Sequence, residues 1–285
     1  MHWEPEPGWT PLTAGTGVSN GGVWLTSDGL VVKRLLRGIG RPDHYAYWRR
    51  QAEVAASGVV EATVGLRAPR CVKVDSDADG VTVWTEAVTT VALSGVELAT
   101  AVGRFGRNEI EPADWFARRI LRDRLANDEQ GPGWAPLAVE ERLPAGLRRD
   151  CGVLWTRRHE LLAELDRLPQ QVIHGDAHPV NLLGRAGDDV IAVDWEQFGI
   201  GPLGFDLAYL LLSTDAPVDA LVSAYQLGSG SAWPIDAVRR GAVVTAAITA
   251  VARAAWSLRQ PDPGDHLDRL CRMAHLVDEA ARQAA

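Results

Sequence analysis

Along the first ninety positions the apolar residues fall into short runs separated by tight polar turns. The runs 23–26 (VWLT) and 30–35 (LVVKRL) flank Ser27-Asp28-Gly29, and Asp-Gly between two apolar runs is a hairpin signal. A second pair, 68–75 (APRCVKVD) and 81–88 (VTVWTEAV), flanks the polar turn SDADG. Between the pairs, residues 43–57 read as a helix, with Pro42 and Asp43 suiting its start and Gly58 its stop. Past residue 90 the pattern turns helical. Ser94-Gly95-Val96-Glu97 is a capping box opening a helix to about Gly106, and Glu111-Pro112-Ala113-Asp114 opens another. GPGWAPL (131–137) is a break before a long helix over 145–167. Two apolar runs, 171–174 (QVIH) and 190–195 (VIAVDW), interrupt the helices, which resume over 205–213, 217–226, 234–258 and 265–283. The pattern predicts an α+β chain in two lobes divided near residue 88. The first, 1–88, is a small antiparallel sheet with one helix; the second, 89–285, is larger and mainly helical.

Composition narrows the classes. The 285 residues are 46% hydrophobic and 23% charged, ordinary globular values. No stretch approaches the 18 or so apolar residues of a spanning helix, so no membrane partner is expected. The opening MHWEPEPGWTPL has no basic leader, which predicts a cytoplasmic protein. Three scattered cysteines (Cys71, Cys151, Cys271) without a CxxC argue against a disulfide framework and a structural zinc site. A net charge of −8 argues against a nucleic-acid partner. The acidity is uneven: residues 1–90 hold ten acids and nine bases, so almost all the excess lies in the rest of the chain. Such a field favours a cationic partner. The eleven tryptophans read as packing residues, and the arginine pairs, among them Arg49-Arg50 and Arg239-Arg240, as solvated helix faces. Only two of 29 basic residues are lysine, Lys33 and Lys73.

The chemistry concentrates in 172–183, where an apolar strand runs into His174-Gly175-Asp176-Ala177-His178-Pro179-Val180-Asn181 before apolar residues resume. So many polar side chains at the end of a buried approach are costly unless they have partners or a task. Asp194 then closes the next apolar run. A carboxylate that orients an acceptor hydroxyl, with an amide oxygen and a second carboxylate for a metal ion on phosphates, is the set that phosphoryl transfer requires. The spacing of Asp176 and Asn181 is that of a kinase catalytic loop with Gly175 in place of its arginine.

The stretch resembles the aminoglycoside phosphotransferase family, small-molecule antibiotic kinases with a protein-kinase-like fold, whose loop reads His-Gly-Asp-x-His-x-x-Asn. Val193-Asp194-Trp195-Glu196 is similar to that family's magnesium segment, and Gly204-Phe205-Asp206-Leu207-Ala208 to its following helix. The resemblance implies Asp176 as catalytic base, Asn181 and Asp194 as Mg2+ ligands, and Lys33 on the nucleotide phosphates, paired with Glu53. It also implies a phosphate loop over 15–22, contributing Gly17, Ser19 and Asn20, and a hinge at 84–88 where Glu86 and Val88 meet the base edge. His174 and His178 are expected to support the loop, and Asp206 to accept hydrogen bonds from its backbone with a depressed pKa. The cofactors implied are ATP, with GTP as the alternative, and Mg2+.

The expected activity is phosphorylation of a hydroxyl on a small cationic molecule, an aminoglycoside or a basic peptide antibiotic, by a monomer or weak dimer. A metabolite kinase of the choline, homoserine or sugar type and a non-catalytic nucleotide-binding module are the alternatives. The charge split makes Glu196, Glu109, Glu111 and Asp114 the candidate substrate carboxylates. A protein kinase is disfavoured, because only nine residues separate Asp194 from Gly204, too few for an activation segment.

Overall fold

The computed structural model describes residues 3–12 and 20–284; Gly17 and Ser19 lie outside them. Strands β1 (Thr10–Pro11), β2 (Asn20–Leu25), β3 (Leu30–Leu36), β5 (Cys71–Ser76) and β6 (Gly80–Glu86) form one antiparallel sheet in the order β1-β2-β3-β6-β5. Both hairpins stand where the Asp-Gly and SDADG turns put them. Helix α1 (Arg50–Ser57) packs on this sheet through a small core of Leu35, Ala52, Val81 and Val83.

Strand β4 (Leu66–Arg67) leaves that sheet. It pairs in parallel with β9 (Asp189–Ala192), which is hairpinned to β8 (Leu182–Ala186) in the second lobe. Leu66, Val60 and Val54 accordingly belong to the large core.

The rest is helical: α2 (Gly95–Phe105), α3 (Ile120–Glu129), α4 (Ala135–Ala138), α5 (Ala145–Arg167), α6 (Phe205–Ser213), α7 (Val218–Gly228), α8 (Ile235–Ser257), α9 (His266–Arg272) and α10 (Ala274–Ala284). Strands β7 (Gln170–Ile173) and β10 (Gly199–Pro202) pair antiparallel and bracket the polar loop and β8–β9. Ser94 and Glu97 form the expected capping box on α2. Helix α8 runs through the lobe's centre with its alanine- and valine-rich body buried, yet no helix among the described residues is long and apolar enough to cross a membrane.

Three boundaries differ from the sequence expectation. The helix expected over 43–57 begins only at Arg50, because the carbonyls of Pro42, His44 and Tyr45 are drawn out of helical pairing. They accept hydrogen bonds from the Arg50 guanidinium at 2.6, 2.7 and 2.9 Å. The segment at Glu111 opens no helix: farther along, the Ala117 amide donates to Phe198 O at 2.9 Å and the Arg118 amide to Asp43 O at 3.0 Å. Cross-chain commitments therefore hold off helix until Ile120. The last helix is two, parted at Met273.

Arg50 itself reverses its sequence reading as a solvated residue. Its side chain is wholly buried. Besides the three carbonyls above, it donates to Trp115 O and Glu196 O, both at 2.7 Å, so all five guanidinium donors are used. Burial pulls its pKa down to about 10, which still leaves it charged at neutral pH. Lysine carries only three donors on a single nitrogen and cannot reproduce the fork. Arg50→Lys should cost about 3–5 kcal/mol, since it strands buried carbonyls. Urea unfolding of the two proteins measures this directly.

Candidate active site

Strand β7 delivers His174, which is wholly buried and never reaches the cleft. Its Nδ1 accepts from the Asp176 amide at 3.2 Å, and its Nε2 lies 2.9 Å from Val193 O. These partners fit a ring that donates from Nε2, a strut between the two polar segments. Gly175 follows with φ +84°, and a Cβ there would stand 2.3 Å from Gln197 O, so neither arginine nor alanine fits. Asp206, buried at the start of α6, accepts from the His174 amide at 2.8 Å and the Gly175 amide at 2.9 Å. The hydrogen bonds are those expected, but the pKa direction is not. Burial pushes the Asp206 carboxyl up, and that outweighs His174 and the two amides that favour its charge. His178 caps the turn at 179–181, its Nδ1 accepting from the Val180 amide at 3.3 Å, and burial lowers its pKa.

This scaffold presents Asp176 and Asn181 together. The Asn181 Nδ2 donates to Asp176 O at 3.0 Å and to Asp176 Oδ2 at 3.1 Å. With its nitrogen so committed, the Asn181 amide is left to offer its oxygen. Just past β9, the Val193 amide donates to Asn181 O at 2.8 Å. Asp194 follows in left-handed backbone, φ +66°, a conformation that costs about 1–2 kcal/mol for most residues and least for Asp or Asn. It aims the carboxylate at Lys33 of β3, whose ammonium bonds Asp194 Oδ1 and Glu196 Oε1, the latter at 2.9 Å. Burial alone would lower the Lys33 pKa; the two carboxylates more than reverse it and hold it above the ordinary value. Asn181 and Asp194 are hard oxygen donors on one wall, the set that suits a divalent cation which keeps most of its water.

Lys33, Asn181, Asp194 and Glu196 form the polar end of a cavity of about 700 Å³ between the lobes. Val23, Val31 and Val83 line it from the sheet, Leu183 and Val193 from the other lobe, and Glu86–Val88 from the connection.

Glu53 does not meet Lys33. Residues Gln51, Val54 and Ala55 give α1 its cavity face, and Glu53 is out of phase with them, bonded instead to Arg49 at 2.8 Å. Glu61, beyond Gly58, lines the cavity. Glu196, expected on a cationic substrate, is the second partner of Lys33. Glu109, Glu111 and Asp114 are exposed and line neither this cavity nor the one beside Asp176.

The model of the phosphotransferase enzyme family, APH, matches residues 14–241. The chain belongs to this family. No curated protein matches the sequence. Among solved structures, the phosphotransferase is similar to a choline/ethanolamine kinase family protein from Mesorhizobium loti, at 20% identity over 97% of this chain and 90% of that one, TM-score 0.66. It is similar to the GDP complex of aminoglycoside 2'-phosphotransferase-IIIa at 16% identity over 96% and 92%, TM-score 0.63. A third is an amicoumacin kinase in complex with AMP-PNP and Ca2+, at 14% identity over 98% and 90%, TM-score 0.59. These likenesses establish the kinase-like fold of the phosphotransferase.

Three residues of the site went unread in the sequence. Gln51 faces the cavity with an amide oxygen that has no partner among the described residues; nothing in its sequence context marks it. Arg124 and Arg253 stand by the 174–181 loop. Arg253 did leave a signal: it is the sole charge in 243–256, VVTAAITAVARAAW.

The Lys33 cluster of the phosphotransferase predicts a pH effect. A lysine whose folded pKa is raised adds stability that is complete below its unfolded value, near 10.5, and lost as pH climbs through the folded one. Glu196→Gln removes one of the two carboxylates and lets burial pull the pKa back. The loss of melting temperature on alkaline titration should therefore begin at lower pH in Glu196→Gln than in wild type.

Proposed function

We propose that this phosphotransferase moves the γ-phosphoryl group of ATP, or of GTP, onto a hydroxyl of a small molecule. The observation that carries the reading is the Asp176–Asn181 pair, set beside a cavity whose polar end is Lys33, Asp194 and Glu196. Phosphoryl transfer asks little covalent chemistry of a protein and depends on positioning and electrostatics.

The nucleotide base lies between the aliphatic walls of the cavity, with its edge toward the backbone of Glu86–Val88, and residues 1–88 form the lobe that covers it. The family resemblance assigns Gly17, Ser19 and Asn20 to the phosphates. Lys33, charged throughout the physiological range, neutralises phosphate oxygens, and Asp194 and Glu196 fix its position. Asn181 and Asp194 would hold Mg2+, which supplies charge neutralisation on the phosphates when bound. Asp176 orients the acceptor hydroxyl and takes its proton as the new phosphate ester bond forms and the nucleoside diphosphate leaves. His174, His178 and Asp206 hold the loop. With Glu53 turned away, Glu196 is the carboxylate that orients Lys33.

The polycationic acceptor rested on the charge split; the carboxylates it pointed to, Glu196, Glu109, Glu111 and Asp114, stand where they give it no support. A small alcohol, as in the metabolite kinases, is the acceptor class the site favours.

Asp176→Asn should leave nucleotide affinity near wild type and lower kcat by about 10²–10⁴-fold, the usual worth of general base help. ADP release measured with ATP, Mg2+ and a library of small alcohols checks this. Full turnover by Asp176→Asn, or turnover with peptides alone, would overturn the reading.

A further inference from the structure

Next to the catalytic loop, α3 and α8 enclose a second cavity, of about 280 Å³. Its charged lining is mostly cationic: Arg124 from α3, Arg253 from α8, and Arg259 just past the end of α8. One carboxylate faces it, Asp128, and that is already taken. Its Oδ1 accepts from Arg259 Nη2 at 2.9 Å and its Oδ2 from Trp134 Nε1 at 3.1 Å.

Arg124 and Arg253 have no comparable partner. Arg124 donates to the Tyr209 hydroxyl at 2.7 Å and to Gln197 Oε1 at 2.6 Å, both neutral. Arg253 lies over the Tyr209 ring, 5.3 Å from its centroid, and its Nη2 stands 3.8 Å from Asp176 Oδ1, beyond hydrogen-bond reach. Thr249, only 3% exposed, lines the same cavity. Its hydroxyl has no hydrogen-bond partner among the described residues. Behind Arg253, α9 adds His266 and Arg269, and Arg269 is occupied by Asp265 at 2.7 Å. The groups around the acceptor side thus leave two guanidinium charges facing Asp176 alone.

A partly buried guanidinium is stable when it meets an anion, and its planar fork matches carboxylate and phosphate. We propose that the acceptor alcohol carries such an anionic group, bound by Arg253 and Arg124 with Thr249 as a further donor, while its hydroxyl lies at Asp176. This rests on the kinase reading above and names its substrate class. Arg253 borders both the cavity and Asp176, so the anionic group sits close to the reacting hydroxyl. The volume suits a compact hydroxy acid or phosphorylated alcohol; a multi-ring polycation exceeds it and meets like charge.

Four probes of similar size separate the possibilities: glycerate and glycerol phosphate as anions, glycerol as the neutral alcohol, and aminopropanediol as the cation, each with ATP and Mg2+. The anions should show the higher kcat/KM. Arg253→Gln should remove that preference by raising their KM about 10–100-fold with little change in kcat, and Arg253→Lys should restore part of it. A preference for glycerol or aminopropanediol overturns the proposal. So does a loss in kcat shared by all four probes, which would place Arg253 on the transferred phosphoryl group. Binding is read apart from turnover by melting-temperature titration with glycerate at constant ionic strength. Wild type should shift saturably and Arg253→Gln should not; flat or identical titrations overturn the proposal. Failure of the kinase reading looks different: glycerate protects the wild type while ATP stays intact with every alcohol.

Discussion

The Arg50 guanidinium holds the two lobes in register. Five donors on one rigid plane reach carbonyls of the 42–45 loop, the Trp115 segment and Glu196. The last of these fixes the backbone whose side chain meets Lys33. A charge buried without a carboxylate partner is tolerable only when every donor is satisfied, and here the satisfaction is complete. Helix α1, the cleft wall and the polar segment after β9 are therefore positioned by one side chain, and the cost of its burial is repaid in geometry.

A second layer of the same logic builds the 174–181 loop. None of His174, Gly175 and Asp206 reaches a substrate. His174 spans from the loop to Val193, Gly175 accepts a backbone approach no side chain permits, and Asp206 gathers two adjacent amides. Asp176 and Asn181 are left with few alternatives to the orientation they hold. The polar groups that touch chemistry are few because the buried ones around them are occupied with each other.

The sequence made the hairpins, the helical lobe and the loop at 174–181 legible, since each is written in contiguous residues. A polar run after an apolar strand must find partners nearby, and it does. What escaped was tertiary. Helix α1 starts seven residues late because Arg50 claims carbonyls that helical bonds would use, and Glu53 misses Lys33 by helical phase, which a motif count ignores. The acceptor's charge is not legible in the sequence, for a different reason. Net charge sums the surface, where acids such as Glu279 and Glu164 are spent on Arg239 and Arg240. Arg124 bonds the neutral Tyr209 and Gln197 and Arg253 stands 3.8 Å from Asp176, placements that a sum of charges does not carry.

The chain crosses between the lobes at more than one place, and two crossings anchor to one hairpin. Leu66 and Arg67 pair with β9, with the Gly65 amide on Asp189 at 2.7 Å, while past the 84–88 connection the Val91 amide donates to Leu183 O of β8 at 2.8 Å. A body suspended at a single point swivels freely; one suspended at two turns about the line joining them. That line crosses the β8–β9 hairpin, one end of which carries Asn181 and Asp194. Displacement in such a rotation grows with distance from the axis. Arg50 adds a third tie through Trp115 O and Glu196 O, so the pivot is restrained as well as located, and the two oxygen donors stay beside it.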